Sequence, residues 1–288
     1  MVRIATERLG FIGAGRVGRG LSLALTRAGY TVSGVASRAR GDAQRIVEAS
    51  DIVFLTVPDD AIAAVCQKIS WRKGQSAVHC AGATELTVLQ PAAAAGAAIG
   101  GFHPLVMFAD PEIAARSIAG AAIGIEAEEP ISARLRTIAQ ALGARVLVIP
   151  PGGRAAYHGA AHFAAGFVGA LLAEGVEIWG RIGIPPEDAT PALFALLRGA
   201  IEAMGHSGIG RAMAGSIARG DVQNIKRHLA ALGELEPRAR ELYCTLALRS
   251  IPLVLQAGRI TRERAEELRA VLSAGTSASA RASVRPDR

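Results

Sequence analysis

The spacing of apolar residues changes near the middle of this 288-residue chain. Up to residue 150, short apolar runs of strand length alternate with segments of helical periodicity, which predicts an α/β domain built on a parallel sheet. The sequence Pro-Pro-Gly-Gly at residues 150–153 interrupts both patterns, because these residues punctuate regular structure. Beyond it the periodicity is helical, so we predict an all-α domain over residues 151–272.

A glycine-rich turn follows the first apolar strand. Gly13 can make the tight turn, Gly15 lets a pyrophosphate approach the backbone, and Gly18 lets the next helix pack on the strand. A helix over residues 16–28 and a strand over residues 31–36 complete a strand–helix–strand unit. This unit predicts a doubly wound, Rossmann-type sheet over residues 1–150 that binds a dinucleotide. A glycine-rich turn in another kind of α/β protein is the alternative. The residues predicted to contact the cofactor here are Gly13, Ala14, Gly15, Arg16, Val17 and Gly18.

The end of the second strand distinguishes between the dinucleotides. NAD enzymes usually carry an Asp or Glu there for the ribose 2′-hydroxyl, whereas this chain has Ser37 and Arg38. A hydroxyl and a guanidinium suit a 2′-phosphate, so we predict NADP as the cofactor; an ordinary solvated arginine is the alternative. Ligands of such sheets bind beyond the carboxyl ends of the strands, which adds Val57, Pro58 and His79 to the predicted cofactor contacts.

The helical half begins with a run of small apolar residues. We predict one long helix over residues 155–173, whose Ala and Gly residues permit the close helix contact of a homodimer interface. The run resembles a membrane span in composition. His158, His162 and Glu174 argue against a span, so no membrane contact is predicted.

Composition limits the remaining possibilities. The formal net charge is +7, but the arginines are scattered and aromatic residues make up only 4%, so we predict no nucleic-acid binding. Cys66, Cys80 and Cys244 have no metal-ligand spacing, and the chain begins without a signal-like segment, which suits a reducing cytoplasm. Residues 273–288 lack periodicity and are predicted to form a disordered tail.

Several motifs, taken together, resemble one family. They are the glycine turn, Val57-Pro58-Asp59, His79-Cys80-Ala81-Gly82, His103-Pro104-Leu105, Tyr157-His158-Gly159-Ala160-Ala161, Ala218-Arg219-Gly220-Asp221 and His228-Leu229. With these motifs the chain resembles the Rossmann-like NADP-dependent reductases whose helical C-terminal domain has no assigned function. That group is similar to pyrroline-5-carboxylate reductases and includes ketopantoate reductases. The chain departs from the family at Gly166, where Asn is usual, and at Ser216, where Pro is usual.

The resemblance implies an NADPH-dependent oxidoreductase that reduces a small carbonyl substrate, a 2-oxo acid such as ketopantoate. Two alternatives stay open. One is reduction of a cyclic imine of the pyrroline-5-carboxylate type, and the other is binding of NADP without turnover.

Three side chains are the candidate catalytic residues. His158 can donate a proton near neutral pH, His103 follows a strand end near the expected nicotinamide, and Arg219 can hold a substrate carboxylate. His158 and His162 are spaced to share a metal, but no third ligand lies nearby, so no metal is predicted. We predict that the small-molecule site lies between the two domains. Asp221, just after Arg219, is a predicted helix N-cap.

Overall fold

The computed structural model describes residues 7–37 and 43–282 of the chain, with side chains as far as residue 275. Two compact units divide the chain, Met1–Ala164 and Ala165–Arg288. The division falls later than the predicted boundary at residue 150, because the helix Arg154–Ala164 packs on the sheet of the first unit.

A seven-stranded sheet forms the centre of the first unit. Its strands are β1 (Arg8–Ile12), β2 (Thr31–Ala36), β3 (Ile52–Leu55), β4 (Ser76–His79), β5 (Ala98–Pro104), β6 (Ala122–Ala127) and β7 (Arg145–Val148). They lie in the order β2-β1-β3-β4-β5-β6-β7. Neighbouring strands are parallel except β5 and β6, which are antiparallel. The predicted doubly wound sheet is therefore confirmed, with one antiparallel pair that the hydrophobic pattern did not reveal.

Helices cover both faces of this sheet. They are α1 (Arg16–Arg27), α2 (Ala43–Glu48), α3 (Ile62–Lys68), α4 (Gln90–Ala94), α5 (Pro111–Ser117), α6 (Ile131–Ala141) and α7 (Arg154–Ala164), with short 3-10 turns at Asp59–Ala61 and Leu86–Leu89. Side chains alternate across the sheet as the pleat requires. Phe54 packs with Leu21 and Leu25 of α1 on one face, whereas Leu55 packs with Ile62 of α3 on the other. Both cores are therefore predictable from the period of the strands.

The second unit is entirely helical over the described residues. Its helices are α8 (Gly166–Arg181), α9 (Pro186–Ser207), α10 (Ile209–Ala212), α11 (Gly215–Ala218), α12 (Val222–Leu235), α13 (Pro237–Gln256) and α14 (Arg262–Ala282). Its core includes Ile225, Ile251 and Leu268. The Asp221 carboxylate accepts a hydrogen bond from the Asn224 N–H at 3.0 Å, which confirms the predicted N-cap of α12.

The long helix predicted over residues 155–173 is interrupted. Ala165 has φ −125° and ψ −76°, outside the helical region, so α7 ends before it and α8 begins after it. By length and composition alone, the stretch Arg154–Arg181 passes as a candidate membrane span, which is weak evidence for one. Its first half carries a fully buried arginine that packs on the sheet.

The C-terminal segment differs from the prediction. Disorder was predicted from residue 273, but α14 continues to Ala282. Leu268 and Leu272 are buried, and Gly275 lies so close to Cys244 of α13 that a Cβ there would be 2.8 Å from the Cys244 sulphur. These contacts anchor α14 beyond the point where its own hydrophobic pattern fades. Residues 283–288 lie outside the described residues.

Candidate functional site

The glycine turn is held in shape by a threonine from the neighbouring strand. The Thr56 hydroxyl donates to the Gly13 carbonyl at 2.7 Å, and the Gly13 N–H donates to Ala36 O at 3.0 Å. Gly13 has φ +124°, and a Cβ at Gly18 would overlap the Gly13 carbonyl. Gly13 and Gly18 are therefore glycines because the fold requires them.

Gly15, in contrast, is not required by the fold. Its φ of −71° and ψ of −174° suit any residue, and a Cβ there would meet no atom within 4 Å. The first helical hydrogen bond of α1 runs from Arg19 N–H to Gly15 O, so the N–H groups before Arg19 precede the helical ladder. A helix N-terminus with open space above Gly15 fits the pyrophosphate of a dinucleotide, because these N–H groups and the helix dipole favour anions.

The glycine turn also lies where the strand order reverses. The chain runs from β1 outward to β2 and then returns to the other side of β1 as β3, which opens a crevice beyond the carboxyl ends of β1 and β3. Ser37 follows β2 and is half-buried, Val57 follows β3 and is half-buried, and Pro58 is exposed. Arg38 lies outside the described residues, so its contact with a 2′-phosphate stays a prediction.

A second set of polar side chains lies where α7 packs against strands β5 and β6 and the loop that follows β4. Arg154, Tyr157 and His158 share one face of α7, because residues three and four apart on a helix point the same way. Each side chain lies over a glycine. A Cβ at Gly101 would overlap the Arg154 guanidinium, one at Gly82 would overlap the His158 ring, and one at Gly124 would lie 2.5 Å from the Tyr157 hydroxyl oxygen. Gly82, Gly101 and Gly124 are called the glycine seats below.

The strand register explains this arrangement. Gly101 of β5 lies between His79 of β4 and Glu126 of β6, so these three residues form one row across the sheet. Two residues along β5, His103 pairs with Gly124 of β6. Residues two apart on a strand share a face, so both rows point toward α7. The residues brought together are called the α7 cluster: His79, His103, Glu126, Arg154, Tyr157 and His158.

Arg154 links strand β6 to the loop that follows β4. Its side chain is fully buried, and its Nη1 donates to Glu126 Oε2 at 3.1 Å. Its Nη2 donates to the Ala81 carbonyl at 2.5 Å, in the loop after β4. Burial raises the pKa of the Glu126 carboxyl, while the hydrogen bond and charge of Arg154 act in the opposite direction.

His103 is paired with Tyr157. The His103 Nδ1 lies 3.0 Å from the Tyr157 hydroxyl, and the His103 and His158 rings meet edge to face at 5.5 Å between centroids. Burial, with the nearby His158 and Arg154, lowers the pKa of His103 to about 4. His103 is therefore neutral near pH 7, with one ring nitrogen that donates a hydrogen bond and one that can accept a proton or a hydrogen bond. The structure thus brings together His103 and His158, two of the three predicted catalytic residues.

His79 is placed differently from the prediction. Its side chain has no exposed surface, and neither ring nitrogen has a hydrogen-bond partner in the described part of the protein. Burial, followed by the charges of Arg154 and His103, lowers its pKa to about 3. A direct contact between this ring and a cofactor is therefore not available in the folded chain as it stands.

The third predicted catalytic residue, Arg219, belongs to the second unit. It is exposed at the end of α11 and forms no ion pair with any described residue.

The turn that follows Arg219 is held by a chain of polar side chains. Asn224 donates to Ser216 Oγ at 2.5 Å and contacts His228, whose Nδ1 lies 2.9 Å from the Tyr243 hydroxyl. Ser216, a departure from the family pattern, thus has a structural partner.

Sequence reasoning missed Arg154 and Glu126. Arg154 was hidden by its position just after the Pro-Pro-Gly-Gly break, and Glu126 by its position in an apolar strand. The available signal was a charged residue without an assigned role at each of these two positions.

No group of three or more His, Cys, Asp or Glu side chains among the residues described here has the geometry to hold a metal ion.

A glycine turn at the switch point of a mostly parallel sheet defines a Rossmann-like fold. Residues 1–104 match the family model of the Rossmann-like domain, and residues 121–250 match the domain of unknown function DUF2520. The chain is therefore a Rossmann-like protein with a DUF2520 C-terminal domain. The α7 cluster draws on both matched regions, since His79 and His103 lie in the first and Glu126, Arg154, Tyr157 and His158 lie in the second.

Solved structures share this fold at low sequence identity. Protein TM1727 from Thermotoga maritima matches with a TM-score of 0.71 and 22% identity, over 88% of this chain and all of that one. An imine reductase from Pseudomonas sp. matches with a TM-score of 0.59 and 15% identity, over 92% and 99% of the two chains. Pyrroline carboxylate reductase from Plasmodium falciparum, solved with NADP bound, matches with a TM-score of 0.60 and 11% identity, over 93% and 99%. No curated protein sequence matches the chain.

Proposed function

We propose that the protein is an NADPH-dependent oxidoreductase that reduces a small carbonyl compound, a 2-oxo acid such as ketopantoate. The observation that carries this proposal is the glycine turn, in which Thr56 fixes Gly13 while the space above Gly15 stays open. A nicotinamide cofactor bound there would supply a hydride. The choice of NADPH rests on Ser37 and Arg38, where an acidic residue is missing.

The chain's own residues would handle the proton and the substrate. Reduction of a carbonyl needs a proton donor near its oxygen. Tyr157 carries a hydroxyl that is hydrogen-bonded to a neutral His103, and the His158 ring adjoins the His103 ring, so this group can hold and pass a proton. Arg219 is exposed and has no carboxylate partner among the described residues, and its contact with a substrate carboxylate stays a prediction.

Reduction of a cyclic imine is the second candidate. The observation in its favour is that solved structures with this fold include an imine reductase and a pyrroline carboxylate reductase. The same histidine–tyrosine group would then protonate a nitrogen. Screening NADPH oxidation with 2-oxo acids and cyclic imines distinguishes the two, and tight NADPH binding without any turnover would favour a binding or sensing role.

The cofactor site gives the first test. Gly15→Ala is expected to weaken NADPH binding by about tenfold or more, about 1.4 kcal/mol, because the new methyl group occupies the space above the turn. The melting temperature should not fall, since Gly15 has an ordinary backbone conformation. Fluorescence titration with NADPH and NADH measures both affinities, and we expect wild type to bind NADPH about tenfold more tightly than NADH.

Gly205→Ala is the matched control for this experiment. Gly205 is an exposed helical glycine whose Cβ would also meet no atom within 4 Å. Its substitution should leave both affinities unchanged. Wild-type NADPH affinity in Gly15→Ala would remove the main support for the proposal.

We also propose that the chain forms a homodimer through its second unit. No residue of α8 is buried in the single chain, and of α9 only Ala189 is. Phe194 and Ile201 of α9 are about half exposed, and a groove of about 930 Å³ lies between α8 and α9. Apolar helices without cover are typical of protein–protein interfaces. A second copy of the chain presents the same apolar surface and can cover the first symmetrically.

Assembly can be tested with a charge in this surface. Wild type should sediment as a dimer at micromolar concentration, and Phe194→Glu should sediment as a monomer because a buried, unpaired carboxylate opposes association. Glu202→Gln, an exposed change on the same helix, should remain dimeric. A monomeric wild type would refute the proposal.

A further inference from the structure

Arg154 is the largest fully buried side chain among the described residues, and it lies in the centre of the α7 cluster. We propose that Arg154 is a positioning residue for the reaction, acting through α7 to hold His103, Tyr157 and His158 in one group at the strand ends. The inference rests on the proposed reductase function and deepens it.

The first support is the way that one side chain fixes three elements. Arg154 starts α7, its Nη1 bonds Glu126 of β6, and its Nη2 bonds Ala81 in the loop after β4. Ala81 immediately precedes Gly82, the glycine seat under the His158 ring. The arginine therefore holds both the helix that carries His158 and the loop on which His158 rests.

The second support is the coupling of Arg154 to Tyr157 by spacing. Arg154 and Tyr157 are three positions apart on α7, and Gly101 and His103 are two positions apart on β5. The two neighbouring strand rows therefore receive two successive side chains of one helix face. When Arg154 lies on Gly101, Tyr157 lies on Gly124 and reaches His103 at 3.0 Å. A shift of α7 by one residue would remove both contacts.

The third support is that packing alone does not require a charge here. A buried ion pair replaced by apolar side chains of similar size is often neutral or stabilising, because the desolvation penalty of the two ions disappears. Arg154 also leaves its Nε without a partner among the described residues. The position therefore holds a charged group that is costly to bury, which points to a use for its charge and for the two hydrogen bonds that its guanidinium donates.

The charge acts on the histidines. Groups facing His103 are Tyr157, His158 and Arg154 of α7, with His79 of β4 near the same guanidinium. The nearby positive charge of Arg154 lowers the pKa values of His79 and His103, in addition to the larger effect of burial. This favours the neutral His103 that can accept the Tyr157 hydroxyl proton in a hydrogen bond.

The test replaces the pair without leaving a lone buried charge. The double variant Arg154→Met with Glu126→Met should stay folded, with a melting temperature near that of wild type. Its NADPH affinity should stay within about twofold of wild type, because the glycine turn is untouched. The NMR titration midpoint of the His103 ring, assigned by its absence in His103→Gln, should move upward. Once a substrate is known, kcat of the double variant should fall about tenfold or more, with a smaller change in KM.

Arg154→Lys is the conservative variant. Lysine keeps the charge but cannot make both hydrogen bonds of the guanidinium, to Glu126 and to Ala81. The titration midpoint of His103 should therefore stay near the wild-type value while kcat falls. A folded double variant with the wild-type titration midpoint and the wild-type kcat would overturn the inference. If wild type fails to bind or oxidise NADPH, the proposed function fails by itself, and the unchanged or shifted midpoint still decides the role of Arg154 in ordering the cluster.

Discussion

Gly101→Ala is expected to lower the free energy of unfolding by about 3–5 kcal/mol, the cost of breaking a buried ion pair by displacing one partner. The alanine Cβ would overlap the Arg154 guanidinium, which is fully buried and cannot move into solvent without leaving Glu126 unpaired. Gly101 has no left-handed backbone conformation, so the expected loss comes from space and charge, and backbone strain contributes nothing. Urea unfolding followed by tryptophan fluorescence measures it.

Gly159→Ala provides the comparison for Gly101→Ala. Gly159 lies in α7, is exposed, and offers open space to a Cβ, so alanine should be neutral or stabilise by up to about 1 kcal/mol through its helix propensity. Equal stability of the two variants would show that the glycine seat is not needed.

Acid is expected to destabilise the fold at pH values well above those at which the protein unfolds. The pKa of His79 is about 3 in the folded chain, compared with about 6.5 when unfolded. Between these values the unfolded chain binds more protons, so stability is fully present above about pH 6.5 and is lost as the pH falls toward 3. At pH 5 the loss from His79 is about 2 kcal/mol, and His103, with a folded pKa of about 4, adds a loss of the same sign.

His79→Leu isolates this effect. Glu126 opposes the trend, because a carboxyl whose pKa is raised on folding gains stability as the pH falls. Leucine removes the titration of His79 together with its two unpartnered nitrogens. Unfolding free energies at pH 7 and pH 5 should therefore differ by about 2 kcal/mol less in the variant than in wild type, with no loss at pH 7. An unchanged pH dependence would show that His79 does not titrate in this way.

Local pattern was enough to predict the first strand–helix–strand unit. Predicted bounds of 16–28 and 31–36 compare with Arg16–Arg27 and Thr31–Ala36, because the glycine turn, the α1 periodicity and Gly29 are all short-range signals. The cap at Asp221 was also predictable, since a cap depends on neighbours within one turn. His103 became a candidate because it falls near a strand end, whereas His158 was chosen because it lies in a segment that resembles the family.

The α7 cluster itself was not predictable from local pattern. Its rows depend on the antiparallel register of β5 and β6, which pairs residues far apart in sequence. Apolar periodicity does not reveal that Gly101 and Gly124 make room for side chains of a later helix. The predictions of one continuous helix over residues 155–173 and of a disordered tail from residue 273 were also wrong. The backbone change at Ala165 lies within uniformly helical sequence, and α14 is extended by tertiary contacts, so apolar periodicity reveals neither.

The break at Ala165 has an evolutionary consequence. Every side chain of the α7 cluster lies before it, so the histidines, their tyrosine and the buried arginine all belong to the first unit. Mutations, insertions or recombination events confined to the helices after Ala165 leave this cluster intact.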